Sequence, residues 1–147
     1  MRGGMETLKR ELLAANDAYY RAFEKADPLA MDDIWSGGPD DICVHPGWEL
    51  CLGPINVKNS FRRIFATGER LTIHLGSIRA DIHGDIGRVT TVEHVYAPAH
   101  RAMVGRVACT NLFLRVEGAW KMILHHGSPI HTAPTEAEEP GEDADYN

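Results

Sequence analysis

Residues Val104 to His126 read VGRVACTNLFLRVEGAWKMILHH. Two runs rich in β-branched and aromatic residues flank Glu117-Gly118, a pair suited to a tight turn. The stretch predicts a hairpin of two long strands, Val104 to Val116 and Ala119 to His126. Opposed residues in a hairpin share one face of the sheet. Arg115 then opposes Trp120, Phe113 opposes Met122, Asn111 opposes Leu124, and Cys109 opposes His126.

Working upstream, Leu71 to His83 and Ile86 to Ala97 form a second such pair around Gly84-Asp85. Ile82 there opposes Gly87, Ala80 opposes Val89, Ile78 opposes Thr91, Gly76 opposes Glu93, and His74 opposes Val95. Pro98 to Met103 is a polar linker between the hairpins. Before the strands come helices. Glu6 to Lys25 lacks Gly and Pro, and Leu8, Leu12, Ala15, Tyr19, Ala22 and Phe23 recur on one face. Asp27-Pro28 caps a short helix over Leu29 to Trp35, stopped by Gly37-Gly38-Pro39. Short strands over Ile42 to His45 and Glu49 to Leu52 precede a third helix, Ile55 to Ala66. This order predicts an α+β fold, a strongly curved antiparallel sheet wrapped as a cone around N-terminal helices.

The 147 residues suit one domain, with a cone over 1–132 and an acidic, disordered tail over 133–147. The net charge of −6 comes from that tail, which holds six acids and no Lys or Arg. The rest carries fifteen acidic and fifteen basic residues, with no basic stripe to attract nucleic acid. No apolar run approaches the ~20 residues of a membrane helix. Arg2 has no apolar stretch behind it, so no secretory signal is expected. Cys43, Cys51 and Cys109 are odd in number and lack a CxxC spacing. Reduced thiols and a cytoplasmic location fit that usage.

The face near the first hairpin's turn carries Asp81, Arg79, Arg88 and Thr90, and must meet water. It continues through Ile73, Leu75, Val92 and Tyr96, and in the second hairpin through Leu112, Leu114, Lys121 and Ile123. An outer face that is polar at one end and apolar elsewhere suggests a homodimer joined through it. The inner face then holds Ile78, Val89, Thr91, Glu93, Val95, Asn111, Phe113, Trp120, Met122, Leu124 and His126. Glu93, Asn111 and His126 are costly to bury unless partnered. Together they point to a polar patch within a ligand cavity. A β-bulge in either hairpin would reverse the parity beyond it.

Several of these residues also carry a family resemblance. Val44-His45-Pro46-Gly47-Trp48, Thr110-Asn111-Leu112-Phe113, Glu117-Gly118-Ala119-Trp120 and His125-His126-Gly127-Ser128-Pro129 resemble the nuclear transport factor 2-like superfamily, in its SnoaL-like branch. The resemblance spans roughly Leu8 to Ile130. The last stretch is also similar to the association domain of calcium/calmodulin-dependent protein kinase. It implies a cone opening near the first helix and the short strands, and dimers through the outer sheet. The superfamily hosts isomerases, dehydratases, cyclases, hydrolases, binders and assembly domains, so the fold does not choose among them. The ketosteroid isomerase set, an Asp base with a Tyr and Asp pair, does not align here. The kinase domain has arginine where Asn111 stands, so its anion chemistry does not carry over.

The candidate chemistry starts from Glu93 and His126 as an acid–base pair. A carboxyl in an apolar cone has a raised pKa, as a general base requires. The plainer alternative is a structural bond between them, or with Arg62 or Arg106. Tyr20, Trp35, His45, Trp48, Asn111 and Phe113 are the candidate ligand-binding residues, and core packing explains the aromatic ones equally well. His45 and Trp48 sit at the cavity mouth or brace a rigid turn. His125 and His126 cannot chelate one ion, since neighbours on a strand face opposite ways. His45, His74, Glu93 and His126 are suitable ligand types without local spacing, so neither metal nor cofactor is expected. Ser128 has no triad around it. Two functions remain open: a noncatalytic, dimeric module that binds a small apolar or amphipathic ligand or serves assembly, and an acid–base isomerase, dehydratase or hydrolase.

Overall fold

A computed structural model describes residues 2–132. The acidic tail expected over 133–147 lies outside the described residues.

Helix α1 spans Arg2–Lys25 and starts earlier than its periodic face, taking in Gly3 and Gly4. Thr7 Oγ1 donates to Gly3 O at 2.9 Å and steadies that first turn. The helix stops at Ala26, which takes a left-handed φ of 51°. Asp27 then caps α2, Pro28–Ile34, by accepting from Ala30 N at 3.1 Å, with Pro28 pre-set in the first turn. Buried Asp41 ties the next loop, accepting from Ser36 Oγ and from Gly37 N. That loop delivers β1, Ile42–Val44, and its partner β2, Cys51–Leu52. Helix α3, Pro54–Ala66, follows. Four long strands complete the fold: β3 Thr72–His83, β4 Ile86–Ala97, β5 Ala102–Val116 and β6 Ala119–Pro129. A short helical turn, Pro98–His100, lies within the expected linker.

The six strands form one sheet in the order β2-β1-β6-β5-β4-β3. All pairings are antiparallel except β1 with β6. The helices cover the inner face. Leu12, Tyr19, Met31, Phe61, Phe113 and Met122 form the centre of the core. Leu12 packs directly over Gly87, where an added Cβ would stand 2.7 Å from its Cδ1. Among the described residues, no helix is long and apolar enough to cross a membrane.

The expected register holds near both turns and then breaks. Arg115 opposes Trp120 and Phe113 opposes Met122, but Leu112 opposes Leu124. Ile123 is the extra residue. Beyond it Asn111 opposes His125, and Thr110 opposes His126. His126 and Leu124 therefore turn outward, and His125 turns in. In the first hairpin, Ser77 and Ile78 stand against Thr91 alone, with Ser77 at φ 53°. Leu75 consequently opposes Glu93 and Ile73 opposes Val95, so both belong to the inner face rather than the outer one. A third shift, at Val104, separates Val95 paired with Gly105 from Tyr96 paired with Met103. Each bulge adds a residue on one strand and sharpens the local twist, which is how a long antiparallel sheet curls into a cone.

Candidate functional site

The cone encloses a cavity of about 350 Å³. Its walls come from four places. Helix α1 supplies Tyr19, Tyr20 and Phe23, the β1–β2 turn His45 and Trp48, and α3 Ile64. The sheet adds Ile73, Glu93, Val95, Val107 and His125. The turn is local chemistry. Pro46 and Gly47 occupy its centre, Gly47 takes φ 82°, and Trp48 N donates to His45 O at 2.8 Å. This sends the His45 ring inward and leaves Trp48 half-buried at the rim. Trp48 stands edge-on to His45 at 4.9 Å, and the Arg63 guanidinium lies 4.7 Å from its ring centre.

Polar groups gather at one wall. Tyr20 OH donates to Glu93 Oε2 at 2.7 Å. Asn111 Nδ2 donates to Tyr20 OH at 3.2 Å and to Asn16 Oδ1 at 2.8 Å. Asn111 Oδ1 faces His125 Nδ1 at 2.7 Å, and the Cys109 thiol donates to that same oxygen at 3.4 Å. Nearby, His45 Nε2 sits 2.8 Å from Ser60 Oγ, whose own hydrogen goes to Val57 O.

Burial sets the protonation states. It lowers the pKa of His45 to about 4. Burial first, then the charges of His45 and His126, lowers that of His125 to about 3. Both imidazoles are neutral at pH 7. Burial raises the Glu93 carboxyl, partly offset by the bond from Tyr20. It raises the thiols of Cys43 and Cys109 as well, so neither is a ready nucleophile.

The sequence-based candidates separate into four groups. Tyr20, His45, Trp48 and Glu93 line the cavity. Asn111 lies just behind its wall, fully buried, and acts on the cavity through His125. Trp35 and Phe113 are core residues: Trp35 packs 6.0 Å from Phe61, and Phe113 is fully buried among the helices and strands. His126 is exposed on the outer face and cannot pair with Glu93, because the bulge at Ile123 reverses its side.

The chain matches the SnoaL-like domain over residues 12–132. The chain belongs to the SnoaL-like domain family. Solved structures agree. A Streptomyces avermitilis protein, described as a "putative dehydratase" of the nuclear transport factor 2-like family, is 29% identical with a TM-score of 0.80. The match covers 86% of this chain and 99% of that one. A Thiobacillus denitrificans protein, described as a "putative" calcium/calmodulin-dependent protein kinase type II association domain, is 26% identical with a TM-score of 0.75. There 80% of this chain and 94% of the other are covered. A Pseudomonas putida nuclear transport factor 2-like protein of unknown function, 12% identical with a TM-score of 0.76, shows the fold alone; 96% of this chain and 98% of that one are covered. The Arabidopsis thaliana F-box protein SKIP8 is 24% identical over 119 residues, 81% of this chain. This chain spans about half, 49%, of that relative's length.

In this SnoaL-like cone, four residues of the buried polar network escaped the sequence reading: Asn16, Ser60, Cys109 and His125. Asn16 had a signal, a polar residue midway between Leu12 and Tyr20 on the apolar stripe of α1. The metal ligand types considered from the sequence are not brought together. His126 faces out, and His74 lies across the sheet with its ring 5.1 Å from that of Tyr96. A different trio, Glu93, Cys109 and His125, presents polar atoms within 4.8 Å of one another. An ion there would have to displace the raised thiol proton of Cys109, and binding through His125 Nδ1 would also break the bond to Asn111. As built, the trio is a hydrogen-bonded cluster.

Proposed function

We propose that this chain is a noncatalytic ligand-binding protein. It holds a small, mostly apolar molecule inside the cone and works as a homodimer joined through the outer sheet face. The cavity is the observation that carries this reading. It is large enough for a small organic molecule, walled by aromatic and aliphatic side chains, and bordered by a few converging polar groups. The histidines support binding over catalysis. A general base works best with a pKa near the operating pH, and those of His45 and His125 lie near 4 and 3. Support for the dimer comes from the half-buried apolar residues Ile42, Val44, Val92, Leu112, Leu114 and Leu124, which share the outer face.

Native mass spectrometry of the freshly purified protein tests the reading. The expected result is a dimer carrying a small-molecule adduct that is lost when Val95→Phe fills the cavity. An adduct that survives this substitution places the ligand elsewhere and contradicts the proposal.

A second reading rests on Glu93. Its raised carboxyl would suit a general base in an acid–base enzyme, and the Streptomyces avermitilis neighbour is described as a "putative dehydratase". Glu93→Gln separates the two. Under this second reading it abolishes conversion of the bound compound; under the first, the compound is recovered unchanged from wild type and variant alike.

A further inference from the structure

We infer that the cavity selects molecules that donate a hydrogen bond, such as an alcohol or phenol, over counterparts that only accept one. This rests on the reading of the cavity as a small-molecule site.

The buried chain of hydrogen bonds fixes where each hydrogen sits. Tyr20 has one hydroxyl hydrogen, and Glu93 Oε2 takes it at 2.7 Å. The Tyr20 oxygen must then accept from Asn111, so the Asn111 amide nitrogen faces Tyr20 and Asn16. That orientation points Asn111 Oδ1 at His125. An amide oxygen only accepts, so His125 carries its proton on Nδ1. A neutral imidazole has one proton, and His125 Nε2 is therefore a bare acceptor. Among the described residues nothing bonds that nitrogen, and His125 lines the cavity. The same logic applies to His45. Ser60 gives its hydrogen to Val57 O, so His45 Nε2 must donate to Ser60. His45 Nδ1 is then unprotonated, with only the weak thiol of Cys43 at 3.8 Å. Both ring nitrogens left for a ligand are acceptors. A ligand carbonyl or ether placed against them meets lone pair with lone pair, while a hydroxyl satisfies one of them. Asn111, Tyr20 and Asn16 are positioning residues in this scheme: none needs to touch the ligand, yet they fix its polarity.

The test uses 2-naphthol and 2-methoxynaphthalene, which share a ring system and differ in the ability to donate. Dissociation constants are measured by calorimetry for the wild type and for His125→Phe. Wild type is expected to prefer naphthol roughly tenfold, the ratio that one net hydrogen bond supports. His125→Phe should bring the ratio close to one. Equal binding of both probes by the wild type overturns the donor rule while leaving the cavity reading intact. Failure of both to bind overturns the cavity reading itself. A second measurement needs no variant: nitrogen-15 NMR should show His125 protonated at Nδ1 and bare at Nε2. The opposite tautomer would refute the chain of assignments.

Discussion

At the residue scale, two buried neutral histidines make stability depend on pH. An unfolded His titrates near 6.5, whereas His125 and His45 in the fold titrate near 3 and 4. Between those values the unfolded chain binds more protons, so stability is full above the unfolded pKa and falls as the solution is acidified. Each tenfold weakening of a histidine's hold on its proton corresponds to ~1.4 kcal/mol. Glu93 opposes the trend, since its raised carboxyl becomes easier to bury as it protonates. Urea denaturation at pH 7 and pH 5 should show a net loss at pH 5, and His125→Phe should flatten the slope. An unchanged slope would mean that His125 is not the titrating group. Tyr20→Phe should cost about 1–3 kcal/mol, because it leaves Glu93 and Asn111 short of a partner. Glu93 and Asn111 were legible in the sequence as inward polar groups by strand alternation alone. His125 was not, since alternation carried past Met122 selects His126. His126→Ala should therefore change stability by no more than ~0.5 kcal/mol, the range of an ordinary surface change.

At the element scale, helices and hairpins were readable because their signals are local: apolar spacing on α1, the Asp27-Pro28 cap, and Gly-containing turns. Asp27→Ala should cost ~1 kcal/mol, seen as a lowered midpoint in chemical denaturation. Gly87→Ala should cost about 1–3 kcal/mol by pushing Leu12 out of its seat, and restoring space with Leu12→Val in the same chain should recover part of the loss. The bulges at Ser77, Val104 and Ile123 left no local mark. None falls on Gly or Pro, and each is set by the curvature the closed cone needs. The pairing of β1 with β6 joins segments distant in the chain and was likewise outside what spacing reveals.

At the scale of the whole molecule, the outer sheet face and the cavity are consequences of one curvature. The same bulge that turns His125 inward turns Leu124 outward, beside Leu112 on β5 and Ile42 on β1. It thus builds the site and extends the proposed interface together. Leu112→Asp should convert a dimer to a monomer in analytical ultracentrifugation and leave naphthol binding within about twofold, a change of under ~0.5 kcal/mol. The α+β cone and its polar interior could be read from the sequence. The ligand could not, because it depends on where single hydrogens sit along a chain of contacts between α1, β4, β5 and β6. The most direct measurement is a crystal structure of the protein soaked in 2-naphthol. The ring is expected in the cavity, with its hydroxyl within hydrogen-bond distance of His125 Nε2. Naphthol bound on the outer face with the cavity empty would contradict it.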